Sequence, residues 1–337
     1  MKKSILYIGN ELSKKGTTVS SIETLGVFLK SEGFEVYTAS SFRNKFLRLF
    51  DMLFNVCRYS REVSAVLIDT YSTQNFYFAV IVAKLSRILG VPYIPILRGG
   101  NLPSRLIKNN RLSSRLCKGA RANVAPSMYL KEVFNHAGYK NVKHIPNSID
   151  IRNYPFLLRK NLQPKLLWVR SFAEIYNPEL AIEIVKELHE AGINATLTMV
   201  GPDKDGSLKK CKRLAHEYKL PIIFTGKLHK NEWISLSKNF DVFINTTNFD
   251  NTPVSVIEAM ALGLPVVSTN VGGIRYLIDP NTTGLLVPPK DAKAFTIAIC
   301  NLLEDDFLAS VVSKNARKKV EAFDWHEVKS FWLALLE

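Results

Sequence analysis

Short apolar runs alternate with segments of helical periodicity through the first half of the chain. The apolar runs are typical of strands buried on both faces, and apolar residues at three- and four-residue spacing are typical of helices packed on a sheet. The predicted strands are Ile5–Gly9, Glu35–Ala39, Ala65–Asp69, Tyr93–Leu97 and Ala122–Ala125. The predicted helices are Val19–Ser31, Phe42–Arg61, Gln74–Leu89, Leu102–Cys117 and Ser127–Ala137. Strands that alternate with helices form parallel sheets, so this half is predicted to be a doubly wound α/β domain.

The second half repeats the alternation and predicts another domain of the same class. Its predicted strands are Lys165–Arg170, Thr196–Val200, Ile222–Phe224, Val242–Asn245, Val266–Ser268 and Leu285–Val287. Its predicted helices are Pro178–Glu190, Leu208–Tyr218, Glu232–Lys238, Val254–Leu262 and Ala292–Leu303. The polar, proline-containing stretch Arg152–Pro164 is predicted to link the domains. We therefore expect domains over residues 1–155 and 156–320, followed by an amphipathic C-terminal helix within 321–337.

The distribution of charge along the chain indicates which class of partner the protein binds. Residues 1–155 hold 23 Lys and Arg against 9 Asp and Glu, a net charge of +14, whereas residues 156–337 hold 22 against 21, a net charge of +1. This asymmetry predicts a polyanionic partner for the first half: an anionic membrane surface, a nucleic acid or a phosphorylated substrate. No run reaches the roughly 18 apolar residues that span a bilayer, and neither a dinucleotide-binding glycine fingerprint nor a P-loop is present. The four scattered cysteines predict reduced thiols in a cytoplasmic protein rather than a metal site.

The stretch Asp241–Pro289 predicts a ligand site. Its loop Thr246–Thr252 follows a predicted strand, and parallel sheets bind ligands beyond the carboxyl ends of their strands. Pro253 suits the first position of the next helix, whose free N–H groups and positive dipole end attract phosphate. Glu258 lies one turn later and leans toward the same site, where a carboxylate suits ribose hydroxyls better than phosphate. From spacing alone, Glu258 is equally well interpreted as a solvated or capping acid.

Four short motifs follow one another in this stretch. They are Asp250-Asn-Thr-Pro253, Glu258-Ala-Met-Ala-Leu-Gly263, Pro265-Val-Val and Val271-Gly-Gly-Ile274. Together they resemble the donor-binding signature of retaining glycosyltransferases of family 4. The resemblance implies a GT-B fold, in which two Rossmann-like doubly wound parallel-sheet domains face each other across a cleft. It also implies a C-terminal helix that crosses back toward the first domain, with a helix that caps its own domain as the alternative.

The resemblance also implies three catalytic residues. In the family, two acids with seven residues between them flank the donor, and here they are Asp250, where Glu is usual, and Glu258. Asp250 would hold the donor sugar, Glu258 the ribose and Arg170 the diphosphate. In the family, a lysine five residues after the arginine shares this last role, but position 175 is Ile. Lys227, or a basic residue of the first domain, is expected to compensate.

Further donor-binding residues follow from the same resemblance. Gly16 lies in a basic loop at the place of the family's glycine loop, so the resemblance implies that it borders the donor. The alternative is a basic loop that binds no ligand. Arg98 follows a predicted strand, in the region where family members often carry a His that contacts the donor sugar. The sequence is equally consistent with Arg98 in a surface turn that binds no ligand. The full predicted set is Gly16, Arg98, Gly201, Lys227, Asn251, Thr252, Pro253, Val254 and Glu258. No metal and no cofactor are implied beyond the nucleotide-sugar co-substrate.

The predicted helix Phe42–Arg61 combines large aromatic residues with basic ones. Such a helix is typical of the interface of an anionic membrane, and a core-packed helix with solvated charges is the alternative. The residues predicted to contact the acceptor or the membrane are Phe42, Phe46, Arg48, Phe50 and Arg58.

Together, these features predict a retaining, metal-independent hexosyltransferase. It would move a sugar from a nucleotide-sugar, expected to be UDP-linked, to a hydroxyl of a lipid-linked or saccharide acceptor in surface polysaccharide or glycolipid biosynthesis. We expect it on the cytoplasmic face of the membrane as a peripheral protein. One alternative is a catalytically impaired nucleotide-sugar-binding protein, because of Ile175 and Asp250. Another is a basic nucleic-acid-binding protein, which leaves the motifs at 250–274 unexplained, so no nucleic acid is expected as a partner.

Overall fold

The computed structural model describes residues 3–11 and 20–337. The chain divides into two compact units. The first unit is Met1–Ser148 together with Val328–Glu337, and the second unit is Ile149–Glu327.

The first unit contains a parallel sheet that, within the described residues, has six strands. They are β1 (Ser4–Ile8), β2 (Glu35–Ala39), β3 (Ala65–Thr70), β4 (Tyr93–Leu97), β5 (Asn123–Ala125) and β6 (Val142–His144). Their order is β2-β1-β3-β4-β5-β6, which reverses direction between β1 and β3 and is a doubly wound arrangement. β6 was not predicted, because its one fully buried side chain, Val142, leaves no apolar run to recognise.

The second unit contains another parallel sheet, and all residues of this unit are described. Its six strands are β7 (Lys165–Val169), β8 (Thr196–Val200), β9 (Ile222–Gly226), β10 (Val242–Asn245), β11 (Val266–Thr269) and β12 (Leu285–Val287). Their order is β12-β11-β10-β7-β8-β9, the arrangement of a dinucleotide-type Rossmann sheet. The strand order reverses between β7 and β10, so the carboxyl ends of these two strands form the crevice where such sheets bind ligands.

Helices connect the strands of both units. In the first unit they are α1 (Ser21–Ser31), α2 (Lys45–Tyr59), α3 (Asn75–Ile88), α4 (Leu102–Lys108), α5 (Asn110–Cys117) and α6 (Met128–His136). In the second unit they are α7 (Pro178–Glu190), α8 (Ser207–Glu217), α9 (Lys230–Leu236), α10 (Val254–Ala261), α11 (Ile274–Leu277), α12 (Ala292–Glu304) and α13 (Asp306–Glu321). The last helix is α14 (Trp325–Leu336). None of the helices among the described residues is both long and apolar enough to span a membrane.

Two predicted elements differ from the structure. The single helix predicted over Leu102–Cys117 is broken at Asn109, whose backbone (φ −126°, ψ 42°) is not helical. Asparagine favours such breaks because its side chain competes for local hydrogen bonds, and here it accepts one from Arg105 at 2.9 Å. Helix α13 was not predicted at all. Its apolar positions are widely spaced among charged residues, although Val312 and Val320 are completely buried.

The stretch predicted as a linker is packed into the second unit. Arg159 is only 7% exposed, and its guanidinium donates to the backbone carbonyls of Phe240, Leu157, Leu262 and Ser237. Burial lowers the pKa of Arg159 to about 10. A charged group is stable in such a place only when its donors are satisfied, so Arg159 fastens this stretch to the ends of α10 and α9.

The C-terminal helix starts in the second unit and continues in the first. Trp325 donates its backbone N–H to the carbonyl of Ile149 at 2.8 Å, whereas the chain from Val328 onward clusters with the first unit. There, Lys329 forms an ion pair with Glu32 at 3.3 Å.

Candidate functional site

Arg170 stands at the carboxyl end of β7, beside the topological switch of the second unit. Its guanidinium forms an ion pair with Asp250 and lies 4.2 Å from the centre of the Tyr176 ring. Burial disfavours the charge of Arg170, but Asp250 and Tyr176 outweigh this effect and raise its pKa. The buried Nε has no hydrogen-bond partner. The site therefore holds a permanent cation, Arg170, which is paired with the Asp250 carboxylate and has one N–H donor left for a ligand.

Asp250 lies in the loop after β10, and glycines on a neighbouring loop fix its position. One carboxylate oxygen accepts the backbone N–H of Asn251 at 2.9 Å, and the other bonds to Arg170. A Cβ at Gly272 would lie 2.1 Å from the carbonyl oxygen of Asp250, and one at Gly273 would lie 1.9 Å from that of Asn251. Only glycine permits this approach, so the Gly-Gly pair sets the course of the loop that carries Asp250.

The N-terminus of α10 lies directly after this loop. Pro253 is the cap of the helix, and not its first residue as predicted, since α10 begins at Val254. Asn251 and Thr252 are buried just before it. The Oγ of Ser255 in the first turn is buried without a hydrogen-bond partner. Together with the free N–H groups of a helix start, this hydroxyl favours an anionic ligand here.

Glu258 is buried near the middle of α10, with only 3% of its surface exposed. Its Oε1 accepts a hydrogen bond from the Tyr154 hydroxyl at 2.8 Å and forms an ion pair with Lys230. Burial and the Glu258 carboxylate both raise the pKa of Tyr154, which keeps it a donor. The interpretation of Glu258 as a solvated acid is therefore wrong.

Tyr154 and Lys230 are site residues that the sequence did not reveal. Tyr154 lies in the stretch that is predicted to link the domains. Lys230 is the first residue of α9, three positions after Lys227, which is a predicted donor-binding residue. Nothing in the spacing of either residue points to Glu258, from which Tyr154 is 104 positions distant.

The remaining predicted donor residues of the second unit follow its strands. Gly201 follows β8 and donates its N–H to the Gly226 carbonyl at 2.8 Å. It lies so close to Arg170 that a Cβ at position 201 would be 1.7 Å from the Arg170 carbonyl oxygen. Lys227 follows β9 and is exposed.

Arg98 is largely buried in the first unit, with a side chain that is 9% exposed, and it joins a polar network there. Its guanidinium donates to Asp69 at 3.1 Å, to Asn147, and to the Tyr7 hydroxyl at 3.3 Å. Burial disfavours its charge, yet Tyr7 and Asp69 together raise its pKa. The interpretation of Arg98 as a plain surface turn is therefore wrong. The predicted Gly16 lies outside the described residues.

Helix α2 exposes its aromatic residues and buries one of its arginines. Within the helix, Phe46 is 86% exposed and Phe50 72%, and Arg58 is exposed as well. Phe42, which precedes the helix, is 42% exposed. Arg48 was predicted to face a membrane but is only 9% exposed. It donates to the carbonyl of Phe42 at 2.8 Å, and burial lowers its pKa. Arg48 is thus a buried anchor of the helix start and not a surface charge.

Over residues 3–11 and 20–337, no group of three or more His, Cys, Asp or Glu side chains is arranged to hold a metal ion.

Curated relatives match about half of this chain. The putative colanic acid biosynthesis glycosyltransferase WcaL of Escherichia coli K12 is 31% identical over 169 residues, which is 47% of this chain and 40% of that protein. The UDP-Gal:α-D-GlcNAc-diphosphoundecaprenol α-1,3-galactosyltransferase of Escherichia coli is 24% identical over 193 residues, which is 52% of this chain and 48% of that protein. This chain thus spans less than half the length of these two relatives.

A solved structure matches the whole chain, and a family model matches its second half. Anabaena HepE in complex with UDP-glucose has a TM-score of 0.78 at 18% identity, over 99% of this chain and 99% of that one. This likeness confirms the predicted GT-B fold. Residues 152–319 match the model of the glycosyl transferases group 1. This segment, which contains Arg170, Asp250 and Glu258, belongs to the glycosyl transferases group 1 family.

Proposed function

We propose that this protein is a retaining glycosyltransferase that moves a hexose from a UDP-sugar to an acceptor hydroxyl in surface polysaccharide or glycolipid biosynthesis. The observation that carries the proposal is the pairing of Arg170 with Asp250 at the carboxyl ends of β7 and β10. This is where a doubly wound sheet binds its ligand. The family of residues 152–319 supports the same chemistry.

The leaving diphosphate would bind between Arg170 and the start of α10. The Nε of Arg170 and the Oγ of Ser255 are buried donors without partners, and phosphate oxygens would satisfy both. The helix start adds its N–H groups and its positive dipole end. These fixed groups would stabilise the negative charge that develops on the diphosphate as the glycosidic bond breaks. We therefore propose that the transfer is metal-independent.

The two acids would orient the rest of the donor. Glu258 would accept hydrogen bonds from the ribose hydroxyls, with Tyr154 and Lys230 holding its carboxylate in place before the ligand arrives. Asp250 would accept from hydroxyls of the transferred sugar while Arg170 orients it. No side chain is assigned as a nucleophile. As the resemblance to family 4 implies, the acceptor hydroxyl would attack on the face that the diphosphate leaves, and a phosphate oxygen would take its proton.

A UDP-linked donor is favoured by two proteins that are similar to this one. HepE was solved with UDP-glucose, and the galactosyltransferase relative is named for UDP-Gal and for an acceptor linked to diphosphoundecaprenol. A lipid-linked saccharide is accordingly the acceptor that we propose for this chain.

The proposed location is the cytoplasmic face of the membrane, reached through an exposed face of α2. We call this the α2 aromatic face; it consists of Phe46, Leu47, Phe50 and Phe54, which are 86%, 55%, 72% and 54% exposed. An exposed stripe of this kind is typical of an interaction site, and exposed Arg43, Lys45, Arg58 and Arg61 accompany it. Each basic residue near an anionic surface contributes about 1 kcal/mol, so a peripheral contact with acidic lipids is favoured.

The test is transfer by the purified protein. A panel of UDP-sugars is incubated with a lipid-diphosphate saccharide acceptor, UDP release is measured, and the anomeric configuration of the product is determined by NMR. We expect release with at least one UDP-sugar, loss of release in Arg170→Ala, and an α-linked product from an α-linked donor. Binding of UDP-sugars without transfer to any acceptor would instead favour the impaired binding protein. Absence of any UDP or UDP-sugar binding would overturn the proposal.

A further inference from the structure

The loop after β8 is fixed against the residues that follow β7. Phe172 donates its backbone N–H to the Pro202 carbonyl at 2.9 Å, and Lys204 donates its own to the Phe172 carbonyl at 2.9 Å. The pairing of the two strands therefore continues through their loops. It holds the backbone of Lys204 beside a residue that lies two positions from Arg170.

A side chain of the same loop reaches the segment that contains Ile175. The Asp205 carboxylate accepts the backbone N–H of Glu174 at 2.8 Å, and it also accepts the N–H and the hydroxyl of Ser207. Asp205 is thereby used as an anchor between the two loops. Lys204 thus sits on a loop that abuts position 175, where Ile175 is apolar and 43% exposed.

Lys204 is exposed on a loop that approaches Arg170 closely, since a Cβ at Gly201 of this loop would lie 1.7 Å from the Arg170 carbonyl oxygen. Partial loss of hydration and then the Arg170 guanidinium lower the pKa of Lys204, and Asp205 opposes this only in part. Among the residues that the structure describes, no carboxylate forms a salt bridge with Lys204, whereas Arg170 is paired with Asp250. Two neighbouring cations, of which only Arg170 is paired with a carboxylate, favour an anion with more than one negative charge.

We propose that Lys204 is a second phosphate-contacting residue that acts with Arg170 on the diphosphate of the donor, and that it supplies the charge that Ile175 lacks. This assignment rests on the proposed function and adds one residue to it. The other nearby lysines are less suited. Lys230 is bound to Glu258 and lies 5.9 Å from the Trp233 ring, and Lys227 stands on the loop after the next strand, β9.

The test compares the binding of UDP, UMP and uridine by isothermal titration calorimetry. Lys204→Met should weaken UDP roughly tenfold to hundredfold, as expected for a lost charge-assisted hydrogen bond, and should leave uridine unchanged. Lys209→Met is the matched control, because Lys209 is an exposed lysine on α8, a few residues along, and it should leave all three affinities unchanged. Adding Ile175→Lys to Lys204→Met should restore most of the UDP affinity.

Three outcomes separate the possibilities. Wild-type UDP affinity in Lys204→Met, with a loss in Lys227→Met or Lys230→Met instead, overturns the assignment while the proposed function stands. An equal weakening of uridine and UDP also overturns it, since Lys204 would then support the loop and not bind phosphate. If the wild-type protein binds neither UDP nor a UDP-sugar, the proposed function itself fails.

Discussion

Glu258 is the residue whose replacement tests the donor site most directly. Its buried carboxylate accepts from Tyr154 and Lys230, so a change at this position affects both the fold and the ligand. Glu258→Ala removes the acceptor entirely, whereas Glu258→Gln keeps an acceptor oxygen for the Tyr154 hydroxyl. Tyr154→Phe removes the same hydrogen bond from the other side and leaves the carboxylate in place.

The cost to the fold follows from the groups that Glu258→Ala leaves unpaired. The Tyr154 hydroxyl is buried, and an unsatisfied buried donor costs about 1–3 kcal/mol. The ion pair adds at most about 1 kcal/mol, because the Lys230 side chain is 45% exposed. At roughly 2–4 °C per kcal/mol for a unit of this size, the Tm should fall by about 2–16 °C, and by less in Glu258→Gln.

The effect on the ligand is isolated by a second change, made in the nucleotide. UDP and 2′,3′-dideoxy-UDP are titrated into wild type and Glu258→Ala, which gives four dissociation constants and one coupling free energy. Hydrogen bonds to a charged carboxylate contribute about 1.5–3 kcal/mol each, so wild type should prefer UDP at least tenfold. Glu258→Ala should bind both nucleotides with nearly the same affinity, whereas Tyr154→Phe should lose stability but keep most of the preference.

A coupling free energy near zero would refute the ribose assignment. In that case Glu258→Ala would weaken both nucleotides by one common factor, as expected if the carboxylate only positions Tyr154 and α10. Because the coupling compares ligands within each variant, a general loss of stability cancels from it.

Three further predictions concern other parts of the chain. Arg170→Ala should weaken UDP far more than uridine in calorimetric titration, because its proposed partner is the diphosphate; equal weakening would make Arg170 a structural residue. Phe46→Glu combined with Phe50→Glu should abolish co-sedimentation with anionic vesicles, whereas Phe307→Glu, at an equally exposed phenylalanine of α13, should not. Wild type should bind less as salt rises, and a wild type that ignores anionic vesicles at low salt would contradict the membrane proposal. Arg159→Met removes a donor from four backbone carbonyls, of which those of Leu262 and Ser237 keep a backbone N–H, so it should cost about 3 kcal/mol and lower the Tm by several degrees in calorimetry. An unchanged Tm would contradict the fastening role.

The sequence by itself determined the order and type of most elements. Parallel strands buried on both faces need continuous apolar runs, and the helices that cover them need a periodic apolar stripe, so both are visible in the local pattern. For the same reason, the sequence predicts a ligand site at the loop Thr246–Thr252 and the start of α10. Gly272 and Gly273 were visible only as part of a motif, and the structure shows that they permit a close approach to the backbone of Asp250 and Asn251.

Only the tertiary structure decided which side chains meet and which faces are covered. Tyr154 reaches Glu258 across 104 positions, and Asp205 joins the loop of Lys204 to Glu174, because sheet order brings distant strand ends together. Periodicity cannot report such pairings, since it records only whether a residue's own face is apolar. Helix α2 shows the same limit: its pattern predicted an acceptor or membrane contact but left a core-packed helix as the alternative, and only the structure shows that Phe46 and Phe50 are exposed. Arg48 of the same helix is buried, because backbone carbonyls at the helix start accept its hydrogen bonds and offset the cost of removing its charge from water.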